Sequence, residues 1–189
     1  MKIIKHDEIE ENDDLMRSAY QNLDPAFRNR LIEEYGAFPK SEYDSEFSIW
    51  FGSKLPNLII PIYQLLKGNI SQKRVLDLGC GSHRDTYEAR EFDPKKYEPW
   101  ICRALIELGA NPLGVDIGNL EGEMFEHYTL NLLEPNSLGF IQENSIDIAF
   151  ESLLYDSPTL TNMKGHESLR ELLISQLERI VKPGGYFIE

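Results

Sequence analysis

Short apolar runs, each closed by a glycine or an acidic residue, punctuate the second part of the chain. Val75, Leu76 and Leu78 precede Gly79, and Leu113 and Val115 precede Asp116. Ile146, Ile148, Ala149 and Phe150 precede Glu151, and Tyr186, Phe187 and Ile188 follow Gly184 and Gly185. Runs of this length with β-branched and aromatic residues predict buried strands. A further strand is predicted over His127 to Leu130. Helical spacing separates them. After Pro99, the residues Ile101, Ala104, Leu105 and Leu108 recur at i, i+3, i+4 and i+7, and Gly109 caps the run. Later, Leu169, Leu172, Leu173, Gln176 and Ile180 share one face with Leu177 beside it, until Pro183, Gly184 and Gly185 stop the helix. Strands alternating with helices in this way point to an α/β fold.

The first seventy residues read differently. Leu15, Ala19 and Leu23 share a helical face, and Asp24 before Pro25 reads as an N-cap with proline at the first helical position. Phe27, Leu31, Ile32 and Tyr35 give a second amphipathic piece ended by Gly36. Residues 37–52 are looser and carry Phe38, Tyr43, Phe47, Trp50 and Phe51, before an apolar helix over Leu55 to Leu66. The expected organisation is a helical cap or lid over 1–70 and a motif-bearing domain over 71–189, forming one compact unit. Two readings of the aromatic stretch stand side by side: rings that anchor the cap to the sheet domain, or a lid whose rings stack on a ligand or face a cation.

Candidate chemistry gathers at Arg74 to Asp85. A buried strand opening into a glycine turn lets backbone approach a ligand closely, since no Cβ intervenes. Nucleotide-type ligands bind there, outside the carboxyl end of a parallel strand. Asp77 lies inside the strand, two positions before Gly79. A carboxylate beside the turn suits a cationic ligand better than a pyrophosphate.

At these residues the chain resembles the class I S-adenosylmethionine-dependent methyltransferases. Their first motif is acidic-x-Gly-x-Gly-x-Gly, and Asp77, Gly79 and Gly81 match it, with Cys80 and Ser82 between and His83 in place of the last glycine. Three later features follow in the family's order: the strand ending at Asp116, the strand Ile146 to Glu151, and the turn Pro183, Gly184, Gly185. The resemblance implies a doubly wound, Rossmann-like sheet in strand order 3-2-1-4-5, apparently without the family's last two strands. It implies that Asp116 takes both ribose hydroxyls, that Ile117 lies against adenine, and that Asn131, where the family commonly has Asp, contacts the adenine amino group. Cys80, Leu132 and Glu151 fall in the same cofactor-binding set. Arg84 either pairs with the cofactor carboxylate or makes a local salt bridge. Tyr155 and Asp156, after the fourth strand, are candidate substrate contacts; Asp156 is either a general base or a cap of the Ser157–Pro158 turn. No catalytic residue is assigned beyond these two.

The implied activity is methyl transfer from S-adenosylmethionine to a small molecule, with S-adenosylhomocysteine as product. Two alternatives stand: a non-catalytic domain that binds either compound, and an NAD-binding Rossmann protein. The second requires a third glycine where Arg84 stands, and an acid roughly 20 residues on, whereas Asp116 lies farther along, after the polar insert Thr86 to Lys96. That insert is either a border of the substrate opening or a surface loop. A chain without the last two strands leaves the fifth strand as an edge, covered by the N-terminal segment or by a second copy in a homodimer.

Charge narrows the partners. With 19 basic against 32 acidic residues the formal charge is −13, and the pI is near 4.8. Nucleic-acid affinity depends on Lys and Arg neutralising phosphates, so nucleic acid is a poor substrate. The base-methylating motif of the family is also absent after the fourth strand. The two cysteines, Cys80 and Cys102, form no Cys-x-x-Cys pair, so neither a metal nor a redox site is expected. His127 reads as a strand-surface residue. The start lacks the apolar core of a signal peptide, and the run Leu58 to Leu66 is too short to span a bilayer. The expectation is a soluble, cytoplasmic, reduced protein that binds no membrane.

Overall fold

The computed structural model describes residues 1–5, 24–26, 54–82, 98–151, 154 and 166–189. Six strands and three helices follow one another along them: β1 (Lys2–Ile4), α1 (Lys54–Leu65), β2 (Arg74–Leu78), α2 (Trp100–Glu107), β3 (Asn111–Asp116), β4 (Glu126–Thr129), β5 (Ile146–Glu151), α3 (His166–Ile180) and β6 (Val181–Ile188). The strands form one sheet in the order β1-β6-β5-β2-β3-β4, and every neighbouring pair is parallel.

This order corrects the five-strand one. The strands expected from the apolar runs keep their neighbours, but a sixth, β1, is added beside β6, where Lys2, Ile3 and Ile4 face Tyr186, Phe187 and Ile188. Residues 2–4 are therefore strand rather than part of a helical cap. Three residues are too few to display a period-two pattern, so nothing in the sequence announces them. Their pairing takes up the β6 edge, so the N-terminal segment covers it, one of the two expected alternatives.

A parallel sheet must be covered on both faces, and the alternation along β2 shows how. Val75 joins a cluster with Ile59 and Ile62 of α1, Leu105 of α2 and Phe150 of β5. Leu76 and Leu78 point the other way, into a cluster with Leu113, Leu173, Leu177 and Phe187. Helix α1 thus belongs to the layers that cover the sheet. Of the rest of the expected cap, Asp24 precedes the helical Pro25 and Ala26 as its N-cap reading requires; Phe38, Tyr43, Phe47, Trp50 and Phe51 lie outside the described residues, as does the insert Thr86 to Lys96. Fully buried leucines such as Leu76 and Leu177 each contribute about 1.5–3 kcal/mol of apolar transfer.

The end of α2 follows its sequence signal, whereas α3 stops at Ile180 and Pro183, Gly184 and Gly185, expected to stop it, lie within β6. Gly109 adopts φ +81°, its N–H reaches Ile106 O at 2.8 Å, and Ala110 N reaches Leu105 O at 2.9 Å. These two bonds satisfy carbonyls that α2 leaves open, in a Schellman turn that favours glycine. Gln176 of α3 is buried because its Oε1 accepts the N–H of Leu138 at 2.8 Å. Arg179 donates to Ile141 O and Leu138 O, both at 2.8 Å, so α3 holds the segment that leads into β5. Among the described residues no helix is long and apolar enough to cross a membrane.

The amino end of the sheet is fixed by charge. Asp147 accepts from Lys182 Nζ at 2.7 Å and from Arg74 N at 2.9 Å, with Lys73 Nζ 3.7 Å away. Partial burial alone would raise its carboxyl, but the hydrogen bonds and the two ammonium charges outweigh it and hold the group below the ordinary range. A carboxyl depressed by folding adds stability that is present above its unfolded value, near 3.9, and lost as pH falls through the folded value. Asp147→Asn is expected to flatten the acid limb of the stability profile below about pH 4, measured by urea denaturation at successive pH. An unchanged acid limb would show that these bonds add nothing to stability.

Candidate functional site

Strand β2 ends at Leu78, and the chain turns at once through Gly79 (φ +76°), Cys80 and Gly81 (φ +91°). Both glycine conformations lie in the region that side chains resist. At Gly79 space is short as well, since a Cβ there would stand 2.9 Å from Leu154 Cδ1. The end of β3 holds the turn. Val115 O accepts the N–H groups of Gly79 (2.9 Å) and Cys80 (3.1 Å). Next along, Asp116 accepts Gly81 N at Oδ2 (3.0 Å) and Gly118 N at Oδ1 (2.8 Å). Three successive N–H groups of the turn are therefore anchored on two residues of β3.

Asp116 is 7% exposed. Burial pushes its carboxyl above the ordinary range, and the N–H donors of Gly118, Gly81 and Ile117 with the nearby Ser82 hydroxyl offset only part of that. Asp77 is placed otherwise. It is fully buried and faces α2, where Cys102 Sγ donates to its Oδ2 at 3.5 Å. The two carboxylates expected to grip one ligand thus differ in access: Asp116 borders the turn, whereas Asp77 is sealed beneath α2. Cys80, between them, is affected by both. Burial pushes its thiol up to about 11, with the charges of Asp77 and Asp116 adding to the rise.

The other expected contacts divide in the same way. Ile117 is 58% exposed, an apolar side chain presented beside Asp116. Asn131 is half-buried and its Oδ1 accepts Leu133 N at 3.0 Å, which fixes its side chain. Leu132 packs its side chain into the core, so only its backbone is left for a ligand. Glu151, at the end of β5 and opposite Leu78, accepts Leu154 N at 3.0 Å. His127 is half-buried with Nδ1 2.8 Å from Phe125 O. His83, Arg84, Tyr155 and Asp156 lie outside the described residues. Among the described residues no group of three His, Cys, Asp or Glu could hold a metal ion.

The sequence reading missed three neighbours of the turn. Leu154 reaches Gly79, Ser82 is buried beside Asp116, and Cys102 reaches Asp77 and Cys80. Ser82 had a signal, its place in the glycine motif; the other two contacts join distant elements. No protein-family model and no curated protein matches the chain.

Gly114 lies opposite Asp77 in the β2–β3 ladder and provides the space beneath the turn. A Cβ there would meet Phe125 Cε2 at 2.7 Å, Cys80 Sγ at 2.9 Å and Cys102 Sγ at 3.2 Å. Gly114→Ala is accordingly expected to lower stability by about 1–3 kcal/mol, the cost of an extra methyl in a filled core. Denaturant titration measures this, and a variant as stable as the parent would show that the turn yields freely.

Proposed function

We propose that the turn after β2 binds S-adenosylmethionine and that the protein transfers its methyl group to a small acceptor, as in the Rossmann-like methyltransferases that the sequence resembles. The observation carrying this reading is the position of Asp116. The sheet order reverses at β2, with β3 on one side and β5 on the other, and ligands of open parallel sheets bind outside the carboxyl ends at such a switch point. The tips gathered there are the glycine turn, Asp116 and Glu151.

The residues present fit an adenosyl sulfonium. The Gly81 backbone can be approached without a Cβ. Gly118 N–H and Gly81 N–H anchor one site on each Asp116 oxygen, and vicinal hydroxyls can take the remaining sites in place of the Ile117 N–H and the Ser82 hydroxyl. Ile117 offers an apolar face to a base, next to the hydroxyl-binding group. Asp77 acts through the turn, by its charge and its hold on α2, rather than by contact.

When bound, the sulfonium supplies an activated methyl group and its own leaving group. The chain then has to hold the acceptor in line with the methyl at near-attack distance, and a base is required only where the acceptor must lose a proton. The acidic tips favour cationic or neutral partners over anionic ones.

Calorimetric titration with S-adenosylmethionine and S-adenosylhomocysteine is expected to show binding of both. Asp116→Ala is expected to weaken it by about 1–3 kcal/mol, the loss of hydrogen bonds to a charged acceptor. No binding by the parent protein overturns the proposal, and unchanged affinity in the variant overturns the placement of the ribose. Binding without transfer to any of a panel of amine, thiol and hydroxyl acceptors identifies a cofactor-binding domain instead.

A further inference from the structure

We propose that Cys80 and Cys102 form an oxidisable dithiol that latches the glycine turn onto α2. The chain has only these two cysteines, and both are free thiols. Far apart in sequence, they converge where Gly114 lacks a side chain: the sulfurs stand 2.9 Å and 3.2 Å from the point a Cβ would occupy. The Cys80 thiol donates to Gly81 O at 3.3 Å and the Cys102 thiol to Asp77 Oδ2 at 3.5 Å, so both S–H groups are held at the same small cluster. One belongs to the turn, between two glycines of positive φ; the other belongs to a helix fully buried at that position. A bond between them would tie the turn covalently to the buried helix beneath it.

The chemistry requires an oxidant, here a hydroperoxide. Cys80, 6% exposed against 0% for Cys102, is the sulfur that the oxidant reaches. Its thiolate attacks the terminal oxygen, the O–O bond breaks, and a sulfenic acid forms as alcohol or water leaves. The sulfur of Cys102 then attacks that of Cys80, the S–O bond breaks, and water leaves. The proton given up by Cys102 departs through Asp77, whose Oδ2 already accepts its S–H. Two thiols and one hydroperoxide become a disulfide, water and an alcohol, or two waters from hydrogen peroxide. Because the thiolate is the nucleophile and burial holds the Cys80 thiol at about 11, the reaction is slow at neutral pH. Its rate should rise about tenfold per pH unit until the thiol titrates.

The test uses the whole reduced protein, treated with hydrogen peroxide at pH 7, 8 and 9, then alkylated and mapped by mass spectrometry. The expected product has lost two hydrogens, takes up no alkylating reagent, and yields one peptide pair joining Cys80 and Cys102. Amide exchange over Gly79 to Ser82 should slow at least tenfold in that product and recover with dithiothreitol. In C102S the intramolecular product should be missing and Cys80 should accumulate sulfenic or sulfinic acid. If the parent keeps two alkylatable thiols, overoxidises without a cross-link, or links only between molecules, the proposal is overturned. A disulfide that leaves turn exchange unchanged overturns the latch.

The consequence for binding rests on the adenosyl reading: the oxidised form should bind S-adenosylmethionine at least tenfold more weakly. Reduced protein that binds none would defeat that reading alone, since mass and exchange judge the dithiol without it.

Discussion

The site is governed by the grip of β3 on the turn that follows β2. Val115 and Asp116 receive the N–H groups of Gly79, Cys80 and Gly81 in succession. Asp116 adds Gly118, so the loops after both strands meet at one carboxylate. Hydrogen bonds to an ionised acceptor are worth more than neutral ones, about 1.5–3 kcal/mol each, and burial strengthens them further. The path of the turn is thereby set from the neighbouring strand rather than by the glycine conformations alone. Glycine permits the course; the end of β3 selects it.

The layer beneath depends on the same strand. Gly114 leaves room for Cys80, Cys102 and Phe125, which form a small cluster with Leu120. Arg103 braces its rim, pairing with Glu98 before α2 and with Glu123 after β3, while its guanidinium lies 4.5 Å over the Trp100 ring. Gly114, Val115 and Asp116, three consecutive residues, thus supply the space, the carbonyl and the carboxylate on which the turn is built.

How far this was legible in the sequence varied with the range of the interaction. Strands β2, β3 and β5 and helices α2 and α3 followed from apolar runs and helical spacing, which are local signals. The cap at Gly109 and the buried face of α3, Gln176 included, were legible for the same reason. Strand β1 was not, because three residues carry no period. Period-two alternation does place Asp77 on the face of Val75, away from Leu76. That α2 covers this face and turns Cys102 toward the carboxylate depends on packing between distant elements, which spacing cannot express. The two cysteines, which lack a Cys-x-x-Cys spacing, gave no sign of their approach for the same reason. The engagement of Asp116 by backbone donors was hidden too, since an acid at a strand end has the same letter whether or not its oxygens already accept N–H groups.

The direction of the hydrogen bonds at the turn also bears on what it can bind. A phosphate-binding turn aims successive N–H groups outward at the anion, with the helix that follows adding its positive end. Here the N–H groups of Gly79, Cys80 and Gly81 face inward, to Val115 and Asp116. An anion approaching this turn would meet the acceptors of a buried carboxylate rather than free donors, and a pyrophosphate would need those anchoring bonds to break. A ligand that brings hydroxyl donors or positive charge meets the opposite situation, because Asp116 is an acceptor whose burial leaves its charge poorly solvated. Hydroxyl donors would relieve the strain that burial places on the carboxylate, as the displaced titration of Asp116 implies. The orientation of these donors therefore weighs against a pyrophosphate at the turn, and the end of β3 carries that preference as much as the glycines do.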